Sequence, residues 1–357
     1  MTTTETVVVK IGTSSVTAIS GEVDHDVLRS LAADVVALRK SGVRCVVVTS
    51  GAITAGWADV GAGRARPTNA VTLQALSAVG QPLLMDAWRA AFAASGVTVG
   101  QVLLAPLDFA HRGQYLHARA TIGALFDLNV VPIVNENDAV ADEEIRFGDN
   151  DRLAALVANL VTATRLVLLT DTPGLLTSDP RLDPRATLIE EVAAIDREIE
   201  ALAGARPSAV GSGGMASKLA AARIATWSGV ETAIGSARST QPLISLLHRA
   251  AGAGTHFLAR PERLPARKAW IAFAAPSCGR LALNDGAVHA VLREGRSALR
   301  VGVHEFQGNF IEGDAVDLTD LNGDLFAKGL SRVDAVRWDD GDDVVVHRDD
   351  LVVLRSD

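Results

Sequence analysis

Cysteine is nearly absent from this sequence: Cys45 and Cys278 are the only two in 357 residues. Neither a disulfide framework nor a four-thiolate zinc site can be built from them, and a reducing compartment, the cytoplasm, is the expected setting. Long hydrophobic runs are missing too. The apolar stretches are strand-length and broken by glycine or polar residues, so no membrane span and no membrane partner are expected. An apolar run at 7–11 begins almost at once and follows an acidic residue, unlike the basic start and longer apolar core of a cleavable leader, so this region is expected to be structure. Aromatic residues amount to 4% and charged residues to 21%, against 48% hydrophobic, a globular balance that excludes disorder and collagen-like fibres.

Positive charge is in short supply. Lys and Arg number 34 against 42 Asp and Glu, a net charge of −8. Residues 1–270 carry 25 basic and 26 acidic side chains, and residues 271–357 carry 9 and 16, a net of −7. A polyanion is repelled by such a tail, so no nucleic-acid partner is expected. Lysine is scarcer still, with Lys10, Lys40, Lys218, Lys268 and Lys328 the only five. Lys10 and Lys218 adjoin glycine-rich turns. Chance and a bias toward arginine account for that placement; the functional alternative is a compact ammonium aimed at phosphate.

Several chemical signatures are also absent. There is no G-x-x-x-x-G-K-[ST] loop, no G-x-G-x-x-G after the first strand, no H-E-x-x-H and no G-x-S-x-G. The histidines are scattered; His111 and His117 read as surface or core residues, and no protein-built metal site is expected.

What is present is an alternation of short continuous apolar runs with segments of helical period. Runs at 7–11, 45–48, 97–104, 130–134, 166–169, 230–234 and 255–258 read as strands. Segments 24–40, 69–94, 112–128, 150–163, 215–228 and 240–249 read as helices. Strands apolar throughout and separated by helices imply an α/β fold with an open, mostly parallel sheet covered on both faces. Beyond the Pro-rich stretch after residue 260 the pattern changes to short segments at 286–292, 299–303, 314–318, 325–330 and 344–347, bounded by Gly, Asp and Asn. They suggest a small β-rich, barrel-like module. The expected organisation is an α/β domain at 1–260, a linker at 261–270 and a β-rich domain at 271–357, consistent with roughly 150 residues per domain.

The informative polar residues fall at the C-terminal ends of expected parallel strands, where ligands gather in open α/β sheets. Lys10-Ile-Gly12-Thr-Ser offers an ammonium beside a glycine that allows close backbone approach; a lysine snorkelling at a sheet end is the plain alternative. Gly211-Ser212-Gly213-Gly214-Met215-Ala216-Ser217-Lys218 leads glycines straight into a helical pattern, placing Lys218 on its first turn. Two such ammonium groups suit one transferring phosphoryl group. Asn135-Glu-Asn-Asp138 and Gly148-Asp-Asn150-Asp151 form a polar half, in which helix capping explains one carboxylate but not both clusters. Asp171, after Thr170, contacts a nucleotide or caps a turn with equal plausibility.

Taken together, Lys10-x-Gly-Thr-Ser-Ser, Thr49-Ser-Gly-Ala-Ile, Val134-Asn-Glu-Asn-Asp-Ala, Phe147-Gly-Asp-Asn-Asp and Gly211-x-Gly-Gly-Met-x-x-Lys218 resemble the glutamate 5-kinases of the amino acid kinase family. The resemblance runs in order along the whole α/β region, and the tail resembles a PUA domain. It implies ATP-dependent phosphorylation of the side-chain carboxylate of L-glutamate, giving L-glutamyl 5-phosphate for proline synthesis. Lys10 and Lys218 would stabilise the phosphoryl group and Asp151 would organise them. Ser50, Gly51, Asn135, Asp138 and Asn150 would hold glutamate; Lys10, Thr170, Asp171 and residues 211–218 would face ATP. The family also implies Mg²⁺ carried mainly on the nucleotide phosphates, feedback inhibition by proline, a homo-oligomer (dimer or tetramer) and transient contact with glutamyl phosphate reductase. Ser212 and Ser217 stand where the family commonly has threonine, which keeps the hydroxyl.

Kinases of the same core acting on carbamate, acetylglutamate, aspartate or a nucleoside monophosphate are the nearest alternatives. An acetylated acceptor has no ammonium for Asp138, and a nucleotide acceptor calls for more basic residues. An RNA-binding protein read through its tail is the alternative from another class. The −7 balance of that tail argues against it. The full chain is expected to show no micromolar affinity for RNA at physiological salt in a filter-binding titration; micromolar binding would reverse the charge argument.

Overall fold

Valine at 7, 8 and 9 and isoleucine at 11 favour extended backbone, and β1 (Thr6–Ile11) is buried along its whole length. The computed structural model describes residues 5–61, 65–140, 150–203, 214–338 and 343–354. After β1 come α1 (Thr13–Val16), α2 (His25–Lys40), β2 (Arg44–Val48), α3 (Ala52–Val60), α4 (Ala70–Ala93) and β3 (Val99–Leu104). Then follow α5 (Pro106–Ala110), α6 (Arg112–Asp127), β4 (Val131–Glu136), a 3-10 turn at Asp138–Val140, α7 (Asn150–Leu160) and β5 (Arg165–Thr170). The α/β part ends with β6 (Glu191–Val192), α8 (Arg197–Leu202), α9 (Met215–Trp227), β7 (Glu231–Ser236), α10 (Pro242–Leu247) and β8 (Gly254–Phe257).

Among the described residues eight strands form one sheet in the order β3-β4-β2-β1-β5-β7-β8-β6. All pairings from β3 to β7 are parallel, and only β7–β8 is antiparallel. The C-terminal ends of β1, β2, β4, β5 and β7 therefore open on one edge. Helices supply the covering layers: α2 starts at Asp24, whose side chain accepts from Val27 N at 3.2 Å, and buries Val27, Leu28, Leu31 and Val35 against the sheet core.

The helical and strand readings of the α/β part hold, with one shift that matters. β4 runs on to Asn135 and Glu136, because β3 stays in register beside it, with Leu103 opposite Asn135 and Leu104 opposite Glu136. Both polar residues are thus buried strand residues, where sequence reading had the strand end at 134.

The chain divides into two compact units, Met1–Asp108 with Arg112–Arg263, and Leu264–Asp357 with Phe109–His111. Within the expected linker, α11 (Ala266–Ala269) runs into a helical turn at Trp270–Ala274. The later elements are β9 (Ser277–Leu283), α12 (Asp285–Glu294), β10 (Ala298–Leu299), a 3-10 turn at Arg300–Gly302, β11 (Val303–Gly308), β12 (Ala315–Thr319), β13 (Leu325–Ser331) and β14 (Val344–Val353). Among the described residues six strands form a curled half-barrel in the order β10-β14-β13-β12-β9-β11. The 286–292 segment corrects the sequence reading, for it is helical. Asn284 accepts from Ala287 N at 2.9 Å, Gly295 ends the helix at φ +62°, and Val288, Val291 and Leu292 share its inner face. The 299–303 segment keeps only a two-residue strand pairing before its 3-10 turn.

One helix pair sets the geometry of the open edge. Helices α3 and α4 cross at Gly56 and Gly80; a methyl carbon on Gly80 would fall inside the carbonyl oxygen of Ala52, and one on Gly56 inside that of Leu76. Gly80→Ala forces these backbones apart. It is expected to cost about 3 kcal/mol, the upper end for overpacking, and to lower the melting temperature by roughly 6–12 °C. An unchanged melting curve would show that the helices separate freely.

Candidate active site

Lys10 is the penultimate residue of β1, opposite Val48 of β2 and Leu168 of β5. Beyond it Gly12 keeps the backbone near the ammonium: a side chain there would begin 3.6 Å from Lys10 Nζ. Lys218 reaches the same place from another element, the first turn of α9, which starts after Gly214. Between them stands Asp151, the second residue of α7 and wholly buried.

Lys10 Nζ lies 2.6 Å from Asp151 Oδ1, and Lys218 Nζ lies 3.1 Å from Asp151 Oδ2. Ser217 donates its hydroxyl to Asp151 Oδ2 at 2.9 Å. Burial alone raises the pKa of this carboxyl, but the Lys10 and then the Lys218 ammonium outweigh burial and hold it down to about 2. Among the described residues two buried lysines converge on one buried carboxylate. Such a gathering of ammonium groups favours an incoming anion.

Asn150, one residue earlier, faces a different set of partners. Its Nδ2 donates to Thr49 O at 3.0 Å, to Ser50 Oγ at 2.8 Å and to Asn135 Oδ1 at 3.1 Å. Asn135 Oδ1 also accepts from Glu136 N at 2.9 Å, and Asn135 Nδ2 donates to Gln81 Oε1 at 2.8 Å. Gly51, at φ +105°, turns the chain from Ser50 into α3 and leaves only 3.3 Å between an added Cβ and Val16 Cγ1, so glycine is required there. Asp138, in the turn after β4, accepts from the Ser77 hydroxyl. Burial outweighs that hydrogen bond and pushes its carboxyl up to about 6.

The sequence-derived residues therefore assemble as two adjoining groups. Lys10, Asp151, Ser217 and Lys218 form one; Ser50, Asn135 and Asn150 form the other, and the peptide bond between Asn150 and Asp151 joins them. Thr170, at the end of β5, donates to Asp171 Oδ1 at 3.0 Å, and the Leu169 carbonyl beside it accepts from Gly12 N at 3.3 Å. Met215 and Ala216 open α9. Gly211, Ser212 and Gly213 lie outside the described residues.

Sequence reasoning missed the contribution of α4. Ser77 and Gln81, one turn apart, meet Asp138 and Asn135, and Trp88 further along donates its indole N–H to Thr49 Oγ1 at 3.2 Å. The available signal was two polar residues, Ser77 and Gln81, on the stripe that otherwise carries Leu84 and Trp88 into the core. The arrangement can place one anion against two ammonium groups while a hydrogen-bonding cradle holds a polar partner beside it.

Comparison with known proteins agrees with this architecture. Residues 5–236 match the model of the amino acid kinase family, and residues 279–348 match that of the PUA domain. Glutamate 5-kinase from Aliivibrio fischeri is 41% identical, covering 99% of this chain and 100% of its own. The enzyme of the same name from Nitrosospira multiformis is 43% identical over 98% of this chain and 97% of its own, and that from Mycolicibacterium smegmatis 46% over 93% and 89%. The chain belongs to the amino acid kinase family, in the group of the glutamate 5-kinases.

Proposed function

We infer that this chain transfers the terminal phosphoryl group of ATP to the side-chain carboxylate of L-glutamate, yielding L-glutamyl 5-phosphate and ADP, the first step of proline synthesis. The observation that carries this reading is the buried Lys10–Asp151–Lys218 cluster in a chain 41–46% identical to glutamate 5-kinases over nearly its full length. The attacking oxygen belongs to a carboxylate already ionised at neutral pH, so the reaction needs no general base. A bond forms between that oxygen and phosphorus while the bond to the ADP oxygen breaks. The barrier lies in bringing two anions together, and two ammonium groups offset it.

In this reading Lys10 and Lys218 contact the migrating phosphoryl group and Asp151 holds both in place. Ser50, Gly51, Asn135, Asp138 and Asn150 receive glutamate, with Asp138 opposite its ammonium. Thr170, Asp171 and residues 211–218 face the nucleotide. Mg²⁺, which neutralises phosphate charge in such transfers, travels on the nucleotide. Asp151 is taken up by two ammonium groups and a hydroxyl, and among the described residues no cluster of three His, Cys, Asp or Glu side chains could hold a metal ion. On the same family footing the proposal includes proline as feedback inhibitor, a dimeric or tetrameric assembly, passage of the product to a reductase and a cytoplasmic location.

The decisive assay is ADP release from magnesium-ATP across a panel of carboxylic amino acids, with hydroxylamine trapping the acyl phosphate. Hydroxamate should form with glutamate; ADP release with no hydroxamate from any acceptor would refute the reading. Lys10→Ala and Lys218→Ala are each expected to lower kcat by about 10²–10³-fold, as loss of a charge-stabilising donor does, with the fold retained. Asp151→Asn differs, because it strands two buried ammonium groups and should also cost about 3–5 kcal/mol of stability. Equal melting temperatures for Asp151→Asn and wild type would contradict the shared-carboxylate account.

Asp138 sets a pH dependence. Its carboxyl titrates at about 6, above the ordinary value of 3.8, so it is charged above that pH and neutral below it. An ammonium loses its partner as pH falls, and kcat/KM for glutamate should drop about tenfold per unit below pH 6. Asp138→Asn should flatten that limb between pH 5 and 6; a limb of undiminished slope would assign it to another group.

A further inference from the structure

The amide network beside the lysine cluster has a polarity that two backbone groups impose. The N–H of Glu136 donates to Asn135 Oδ1, so Asn135 must turn Nδ2 toward Gln81, and Gln81 must answer with Oε1. The Thr49 carbonyl accepts from Asn150 Nδ2, which directs Asn150 Oδ1 away from that carbonyl and from Asn135. These two anchors assign which end of each amide carries the oxygen, while the hydrogen bond to Gln81 holds the Asn135 side chain in its place between Gln81 and Asn150. Two atoms are then left over. Gln81 Nε2 and Asn150 Oδ1 are buried and have no hydrogen-bond partner among the described residues. Gln81 itself is only 7% exposed, and its neighbour Gly80 is pressed against the Ala52 carbonyl, which holds this turn of α4 in place.

Unpartnered amide groups in so buried a network are costly in the absence of a ligand. The spare acceptor at Asn150 matches a partner that brings a donor, as the ammonium of a free α-amino acid does. We propose that Gln81 is a positioning residue for the acceptor amino acid: its amide oxygen holds Asn135, and through it Asn150, in the position that leaves Asn150 Oδ1 to receive the ammonium. This rests on the kinase reading above and adds to it a residue on α4 that belongs to neither substrate loop. Ser77, one turn before Gln81, plays the matching part for Asp138, so one face of α4 supports both ammonium acceptors.

Steady-state kinetics separate this role from a merely structural one. Gln81→Met keeps the volume and removes the acceptor oxygen. The expected result is a roughly tenfold rise in the glutamate KM, with kcat and the ATP KM within about twofold of wild type. Gln81→Glu, protonated in so buried a site, keeps an acceptor oxygen and should hold the glutamate KM within about threefold. In an Asn135→Ala background, Gln81→Met should add less than about twofold, because the two act through one contact. A glutamate KM unchanged in Gln81→Met, a parallel loss in the ATP KM, or independent effects in the double variant would overturn the role. So would a tenfold rise in Gln81→Glu, whether or not Gln81→Met folds. A wild type that forms no hydroxamate overturns the kinase reading and this proposal together; an active wild type with an indifferent Gln81 overturns the proposal alone.

Discussion

One carboxylate shared between two ammonium groups is the constraint around which the α/β domain is arranged. Asp151 lies wholly buried, and each of its oxygens meets a lysine from a different element. Asp151 stays ionised only because both lysines face it. The triad thus requires β1, α7 and α9 to converge, and the parallel sheet makes them do so by opening the ends of its central strands on a common edge. Two lysines gathered on one carboxylate suit a transfer between two anions better than acid–base chemistry.

Rigidity at that edge comes from close backbone contact rather than from bulk. Gly56 and Gly80 let α3 and α4 approach until carbonyl oxygens occupy the space of missing side chains. Helix α3 begins at the Ser50–Gly51 turn, and α4 carries Ser77, Gln81 and Trp88, so their contact fixes the strand-end loop of β2 relative to the amides of β4 and α7. A polar cradle built from short side chains tolerates little displacement, because each hydrogen bond has a narrow range of length and angle.

Much of this was legible in the sequence. Continuous valine and leucine runs announced buried parallel strands, and the motifs containing Lys10, Asp151 and Lys218 could be read in order because glycines and polar residues interrupt apolar segments sharply. Other features depended on partners distant in the chain. Asn135 and Glu136 look like loop residues until β3 is placed beside them, since that ladder carries β4 on through both. Gln81 reads as a blemish on an apolar helix face until Asn135 stands opposite. At 286–292 the apolar spacing suits a short strand or a helix equally, and the cap at Asn284 decides for the helix.

The peptide bond between Asn150 and Asp151 has a thermodynamic consequence. One side chain reaches the amides and the other the two lysines, so the start of α7 belongs to both halves of the site. A guest that draws Asn150 toward itself shifts the carboxylate beside it, and a guest that attracts the lysines relaxes their grip on Asp151 and so frees the same helix terminus. With the amides assigned to the amino acid and the lysines to the nucleotide, as proposed above, affinities on the two sides are linked, and linkage is reciprocal: whatever the amino acid does to nucleotide affinity, the nucleotide must do in equal measure to the amino acid's.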